Sequence, residues 1–303
     1  SHFPPDCAEQ IVLIYPLQKT FSRTKTKQLP PNVRVFCTIS HGVTPEDNDT
    51  TGSSGDVSLS RGFGVDKLHA FNERVLIPFP NMTLEFWGRF AKCDISFLTG
   101  ITGLGVKSLK NCTLTLPTSV AVLTMNNETH EVSVSGTENL TYLSVSSESI
   151  LTTPCPKLQR LQWKGKTFSE KTFMFSNSEL TTLSKLMIEA GTIDSNLQFP
   201  QGLKSLALEV RHGSVNDAQL TPLTCLRKLV IQVGEKEEKL LDLSTLTALT
   251  KLSASDSPIS ALPTSLVECD VTLRFDTDLS PFTNLTSLNV TVYPTINVTY
   301  PTG

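Results

Sequence analysis

The carboxylates Asp270, Asp276 and Asp278 stand close enough in sequence to be weighed as a catalytic set. Glycoside hydrolysis needs two carboxyl groups flanking the scissile bond, one protonated for the leaving group and one ionised for the sugar or its attacking water. On a β-helix such a trio would describe a secreted carbohydrate-active enzyme, although acid pairs also arise in loops that carry no chemistry. Gly100-Ile-Thr-Gly-Leu-Gly105 resembles a phosphate-cradling loop but lacks the following Lys-Ser/Thr and lies inside a repeat. His2, His41, His69, His130 and His212 form no pair at metal-ligand spacing, and no Gly-x-Ser-x-Gly elbow occurs. The expectation is a non-enzymatic protein with no cofactor and no metal.

The pattern that does recur is Asn-x-Ser/Thr, the acceptor for N-linked glycans, at Asn48, Asn81, Asn111, Asn127, Asn139, Asn284, Asn289 and Asn297. This density predicts the secretory pathway and an extracellular or cell-surface location, although a chain rich in Ser and Thr also writes such triplets by composition. Seven cysteines are present. Cys7 and Cys37 flank two apolar runs and would staple them, and Cys93 and Cys112, about one repeat apart, would lie side by side on neighbouring rungs. Cys269 takes the place of a core leucine and reads as a buried free thiol. Spacing alone leaves the connectivity open, and an odd count leaves at least one thiol unpaired.

Composition places the 303 residues among globular proteins, with 39% hydrophobic and 18% charged side chains. A net charge of -3, with Lys and Arg scattered, gives no footprint for a nucleic-acid partner. No apolar run approaches the roughly 20 residues that cross a bilayer, so membrane attachment is expected only through an anchor missing from this sequence.

The elements that would position any site are repeats. The phrase x-x-Leu-x-Leu begins at Asn81, Ile101, Val120, Leu140, Leu158, Leu183, Leu203, Leu226, Leu249, Leu266 and Leu285, a spacing of about 20 residues that marks a solenoid. Two approaches to the strand recur, Leu262-Pro-Thr-Ser-Leu266 and its like at Leu116 and Phe199, and Leu243-Ser-Thr-Leu-Thr-Ala-Leu249 and its like at Leu279. Proline fixes φ and offers no ladder donor, so it belongs in the turn that feeds the strand. Residues 1–79 read as an N-terminal cap of two strands with a mobile loop at 42–56, and residues 80–303 as the solenoid. Lys19, Arg23, Lys25 and Lys27 fall between the cap strands, either as a solvated hairpin loop or as a patch for an acidic partner.

Residues 80–300 resemble leucine-rich repeats, in the irregular short-period form of surface and secreted proteins of protists and some bacteria. The resemblance implies a mainly β solenoid of about eleven rungs that binds a protein or glycan through its strand face. The family's asparagine ladder is absent, since positions such as Lys166, Gly191, Arg211 and Gly234 stand where it would run. Rungs this short leave room only for extended or 3₁₀ return limbs. A right-handed parallel β-helix is the alternative; it requires further strands in each rung, and Thr113–Leu116 and Glu131–Val134 offer them.

Side chains alternate across a strand, so the residues between the leucines face outward. That rule predicts a patch of Tyr142, Arg160, Gln162, Lys164, Lys185, Met187 and Glu189, with Trp87 as a second anchor and Trp163 in the core; the same face is equally an ordinary solvated surface. A glycan on Asn289 would keep a protein partner from the C-terminal end of this face. The expected function is a non-enzymatic recognition or adhesion module whose ligand is a protein or glycan of a host or neighbouring cell. A structural coat or wall glycoprotein is the alternative from another class.

Overall fold

The structure, a computed structural model, describes residues 10–16, 34–40, 82–87, 92–98, 101–107, 110–125, 130–146, 148–151, 153–168, 180–212, 215–234, 240–255, 257, 259–273, 276–292 and 296–300. The chain divides into two compact units, Ser1–Cys155 and Pro156–Gly303. Both are mainly β and built as parallel solenoids. The cap boundary at 79, the loop at 42–56 and the basic stretch Lys19–Lys27 lie outside the described residues.

In the first unit β1 (Gln10–Pro16), β2 (Arg34–Ser40), β3 (Met82–Trp87), β5 (Ile101–Lys107), β7 (Val122–Met125) and β9 (Tyr142–Ser146) lie side by side in that order. A second sheet carries β4 (Lys92–Asp94), β6 (Lys110–Thr115), β8 (His130–Ser135) and β10 (Glu148–Leu151). The second strands expected at 113–116 and 131–134 are therefore present, paired from Thr113 with Ser133 to Thr115 with Ser135. The hairpin expected of the N-terminal strands is corrected: β1 and β2 run parallel, and β2 runs parallel to β3. Parallel neighbours need a crossover rather than a tight turn, so these strands extend the stack instead of folding back on it.

The second unit aligns β11 (Arg160–Phe168), β12 (Lys185–Ile193), β13 (Ser205–Val210), β14 (Lys228–Val233), β16 (Lys251–Ser255), β18 (Glu268–Leu273) and β20 (Ser287–Val292). Its return limbs are turns with two short pairs, β15 (Leu241–Asp242) with β17 (Ile259–Ala261) and β19 (Thr277–Asp278) with β21 (Val298–Thr299). The one helix among the described residues is a single turn, α1 (Asp217–Leu220).

The core is a set of columns. Leu186, Leu206, Leu229, Leu252 and Cys269 are register partners in successive strands, as are Ile188, Leu208, Ile231, Ala254 and Val271, and all are buried. A slip of one residue would turn both columns to solvent, which is why the alternation fixes the register. Trp163 is also buried, its ring edge-on to Phe168 with centroids 4.9 Å apart.

The recurrent approaches to the strand are hydrogen-bonded turns. In the Pro type the proline carbonyl accepts the N–H three residues on, as from Val120 to Pro117, Leu203 to Pro200 and Leu266 to Pro263. The Leu type makes two such turns in succession, Leu246 to Leu243 and Leu249 to Leu246. Each turn brings two apolar side chains to the same side, and the leucines at 243, 246 and 249 are all buried. At the mouth of each strand one carbonyl serves two donors of the next rung: Gln159 accepts from Ser184 and Lys185, and Arg227 from Thr250 and Lys251. Hydroxyls reinforce the same carbonyls, with Ser184 Oγ donating to Gln159 at 3.2 Å and Thr250 Oγ1 to Arg227 at 3.1 Å. These Ser and Thr side chains tie each rung to the preceding one at the entry to the strand.

Buried polar groups are matched in the same manner. Gln219 is 1% exposed; its amide nitrogen donates to the carbonyls of Asp194 and Leu197, and its oxygen accepts the Asn216 N–H in a capping box. Gly136 sits at φ +77°, where a Cβ would fall 2.7 Å from the Leu116 carbonyl oxygen.

Leu206→Ala should destabilise the protein by about 2–5 kcal/mol, because the column on either side cannot collapse into the space left. Gly136→Ala should lose about 1–2 kcal/mol from the left-handed backbone alone. Urea unfolding of each variant measures both; a loss under about 1 kcal/mol for Leu206→Ala would contradict its place in the column.

Candidate functional site

With the inner columns fixed, the outward residues of the second unit form lanes. The first starts with Arg160 and Lys185, register partners that are both exposed. It continues through Ser205 to Lys228 and Lys251, again partners and again exposed. Like charges opposed on adjacent strands are unfavourable. Lys251 is relieved by Glu268, 2.6 Å away, whereas Arg160 and Lys185 have no carboxylate within ion-pair distance among the described residues.

The second lane is less polar. Gln162, Met187, Ala207 and Val230 are partners in turn, and Met187 is 48% exposed. The third lane turns acidic: Glu189 lies beside Glu209 and is held by Lys164 at 2.5 Å and Arg211 at 3.2 Å. Such exposed pairs contribute on the order of 0.2–1 kcal/mol each, so they organise the surface more than they stabilise it. The result is a short apolar run, Met187 to Val230, between a row rich in cations and a row in which Glu189 and Glu209 follow Lys164.

The predicted residues are thus partly assembled. Arg160, Gln162, Lys164, Lys185, Met187 and Glu189 lie together across β11 and β12. Tyr142 belongs to the first unit, where it is half-exposed on β9 opposite the exposed Val122. Trp87 ends β3 with Ser40 and Lys107 as register partners, and its side chain lies outside the description. Reasoning from the sequence missed Arg211, which lies beyond the strand end and reaches Glu189, and also the hydroxyls that staple one rung to the next.

Further along the second unit the face dips into a depression of about 480 Å³ bordered by Lys228, Val230, Lys251, Ser253, Asp270 and Asn289. Asp270 faces this depression and accepts a hydrogen bond from Asn289 Nδ2 at 3.0 Å. Its companions are used elsewhere: Asp276 accepts the Asn297 N–H, and Asp278 accepts the Ser280 N–H. The hydroxyl and backbone hydrogen bonds from Ser280 hold the Asp278 pKa below its ordinary value, the wrong direction for a general acid. The three carboxylates do not form a cluster, and no group of three His, Cys, Asp or Glu side chains suited to a metal occurs among the described residues.

Cys93 is opposed to Leu114 and Cys112 to Val132, so these two cysteines sit on adjacent strands offset by two residues. Cys37 stands in β2, and Cys7 lies outside the described residues. Cys269 is a free thiol buried in the core column, as expected, and Cys155 is likewise free and buried. Burial pushes both thiols up to about 11.

Of the acceptor asparagines, Asn284, Asn289 and Asn297 are exposed, whereas Asn139 is half-buried and donates to the Thr118 carbonyl at 2.9 Å. Asn111 lies in β6, and Asn48, Asn81 and Asn127 lie outside the described residues. No family model and no curated protein matches this chain. No described helix is long and apolar enough to cross a membrane.

Iodoacetamide at mildly alkaline pH should modify the exposed Cys225 in the native protein and reach Cys155 and Cys269 only after unfolding, as peptide mass spectrometry would record. Because the two buried thiols titrate higher in the folded than in the unfolded chain, their contribution to stability is complete below about pH 8.5. It is lost as pH rises through about 11, and a midpoint that climbs over that range would contradict their burial.

Proposed function

We propose that this protein is a non-enzymatic extracellular recognition module, similar in construction to leucine-rich repeats, that binds a protein or glycan through its outward strand face. The observation that carries the reading is the cationic pair Arg160 and Lys185 beside the exposed Met187. A pair of like charges with no ion-pair partner among the described residues, set against an exposed apolar side chain, has a use if a ligand supplies the anion and covers the methionine. Solenoids offer extended surfaces of this sort, although a fold alone does not define a function. A coat or wall glycoprotein is the second reading, favoured by the exposed acceptor asparagines Asn284, Asn289 and Asn297.

The test is a glycan array and a cell-binding screen with the full chain, followed by titration of any ligand against Arg160→Ala and Met187→Ser. Each substitution should weaken binding about tenfold or more while unfolding stability stays within about 0.5 kcal/mol. Unchanged affinity in both variants retires this face. Growth of the glycosylated protein into large particles in dilute solution would support the coat reading instead.

A further inference from the structure

The cations of the second unit stand far apart in the sequence and together in the stack. Each of five consecutive strands, β11, β12, β13, β14 and β16, is entered through two exposed or half-exposed residues set between two buried leucines, as Lys204 and Ser205 are between Leu203 and Leu206. Arg160, Lys185, Ser205, Lys228 and Lys251 form one file of register partners across these strands. A second file lies one residue earlier, where the Lys204 N–H donates to the Ser184 carbonyl and the Arg227 N–H to the Lys204 carbonyl, both at 2.9 Å. Arg160, Lys185, Lys204, Arg227, Lys228 and Lys251 are all exposed, and the ten entry positions hold these six cations and no carboxylate. With neighbouring strands about 4.8 Å apart, the row runs about 19 Å from β11 to β16.

The other ends of the same strands differ. There Lys164 and Arg211 are both taken up by Glu189. At the entries Lys251 is the one cation with an ion pair among the described residues, to Glu268. Glu268 is also where the row stops, as the register partner of Lys251 in β18. The cationic strip is therefore long, about two residues wide, and bounded at β18 by a change of sign.

We infer that this strip binds a linear anionic polysaccharide, a chain bearing sulfate or carboxylate groups along its length and laid across the strands. The inference rests on the reading of the strand face as a recognition surface and names the ligand class that the face takes. An extended chain with repeated anions can answer each rung in turn, whereas a folded acidic protein would meet so narrow a strip at only a few points. Arg160 and Arg227 offer planar forks that match a sulfate or carboxylate with two parallel hydrogen bonds, and the lysines act as point charges between them. The hydroxyls of Ser184 and Thr250, which donate to the carbonyls of Gln159 and Arg227, keep lone pairs that accept from sugar hydroxyls. Single-stranded nucleic acid calls for aromatic platforms beside the charge, and the outward residues of these five strands include none.

The probe is heparin, a densely sulfated linear polysaccharide, titrated against the full chain at low salt. The same polymer stripped of its sulfates and a single-stranded DNA of matched length serve as comparisons. Heparin should bind, more tightly than the DNA, and its affinity should fall as salt rises because the contacts are screened charges; the desulfated polymer should not bind. The double variant Lys204→Ser and Arg227→Ser, which lies outside the group of Arg160, Lys185 and Met187, should weaken heparin binding at least about tenfold. Lys166→Ser with Arg211→Ser removes the same charge at the strand exits and should leave the affinity close to that of the parent. Both double variants change exposed side chains and should keep the parent's urea midpoint. No heparin binding, an equal loss in the two double variants, or DNA bound as tightly as heparin each overturn the inference. Heparin binding that depends on Lys204 and Arg227 but ignores Met187→Ser would retire the methionine's part in the strand-face reading and leave this inference standing. A protein or neutral glycan whose binding depends on Arg160 and Met187, with no heparin bound, would keep that reading and end this one.

Discussion

Each rung of this protein supplies half of a core and depends on its neighbour for the other half. Leu206 is buried because Leu186 stands on one side of it and Leu229 on the other. Parallel in-register pairing satisfies this dependence, since it repeats one inward position strand after strand while the backbone bonds across the sheet. The turns follow from the same demand. A proline or leucine carbonyl closes on the residue three further along, so that the chain arrives at the next strand with its apolar side chains already facing inward.

The same constraint builds the outer surface. Residues between the core positions have no choice of face, so Arg160 meets Lys185 and Lys228 meets Lys251 whether or not the charges suit one another. Some conflicts are relieved within the surface, as Glu268 does for Lys251 and Lys164 with Arg211 do around Glu189. The opposition of Arg160 and Lys185 is relieved by no carboxylate among the described residues. Several titratable or polar groups among the described residues are, by contrast, absorbed by structure. Asp276 and Asp278 hold turn amides, Cys155 and Cys269 are buried thiols, and Gln219 has its amide nitrogen and oxygen engaged by backbone.

The dependence shows again at the last described strand of the larger sheet. Leu288, Val290 and Val292 carry the same pattern as the strands before them yet remain half-exposed, because no further rung lies against them in the described chain. Exposure of this kind follows from position in the stack and not from the side chains themselves, which would be buried one rung earlier.

The sequence by itself determined the periodicity, and with it the inner and outer assignment. Cys269 and Trp163 inside, Met187 and Lys185 outside, and second strands near Thr113 and Glu131 all follow from two-residue alternation, a property local enough to read from spacing. Only the tertiary structure decided the relations between distant residues. It placed β1 parallel to β2, divided the chain after Cys155, brought Arg211 to Glu189 and sent Asp276 to a backbone amide 21 residues away. Alternation says which side of a strand a residue takes; which strand it takes as neighbour is fixed by chain crossovers and register, and these depend on the whole stack forming together.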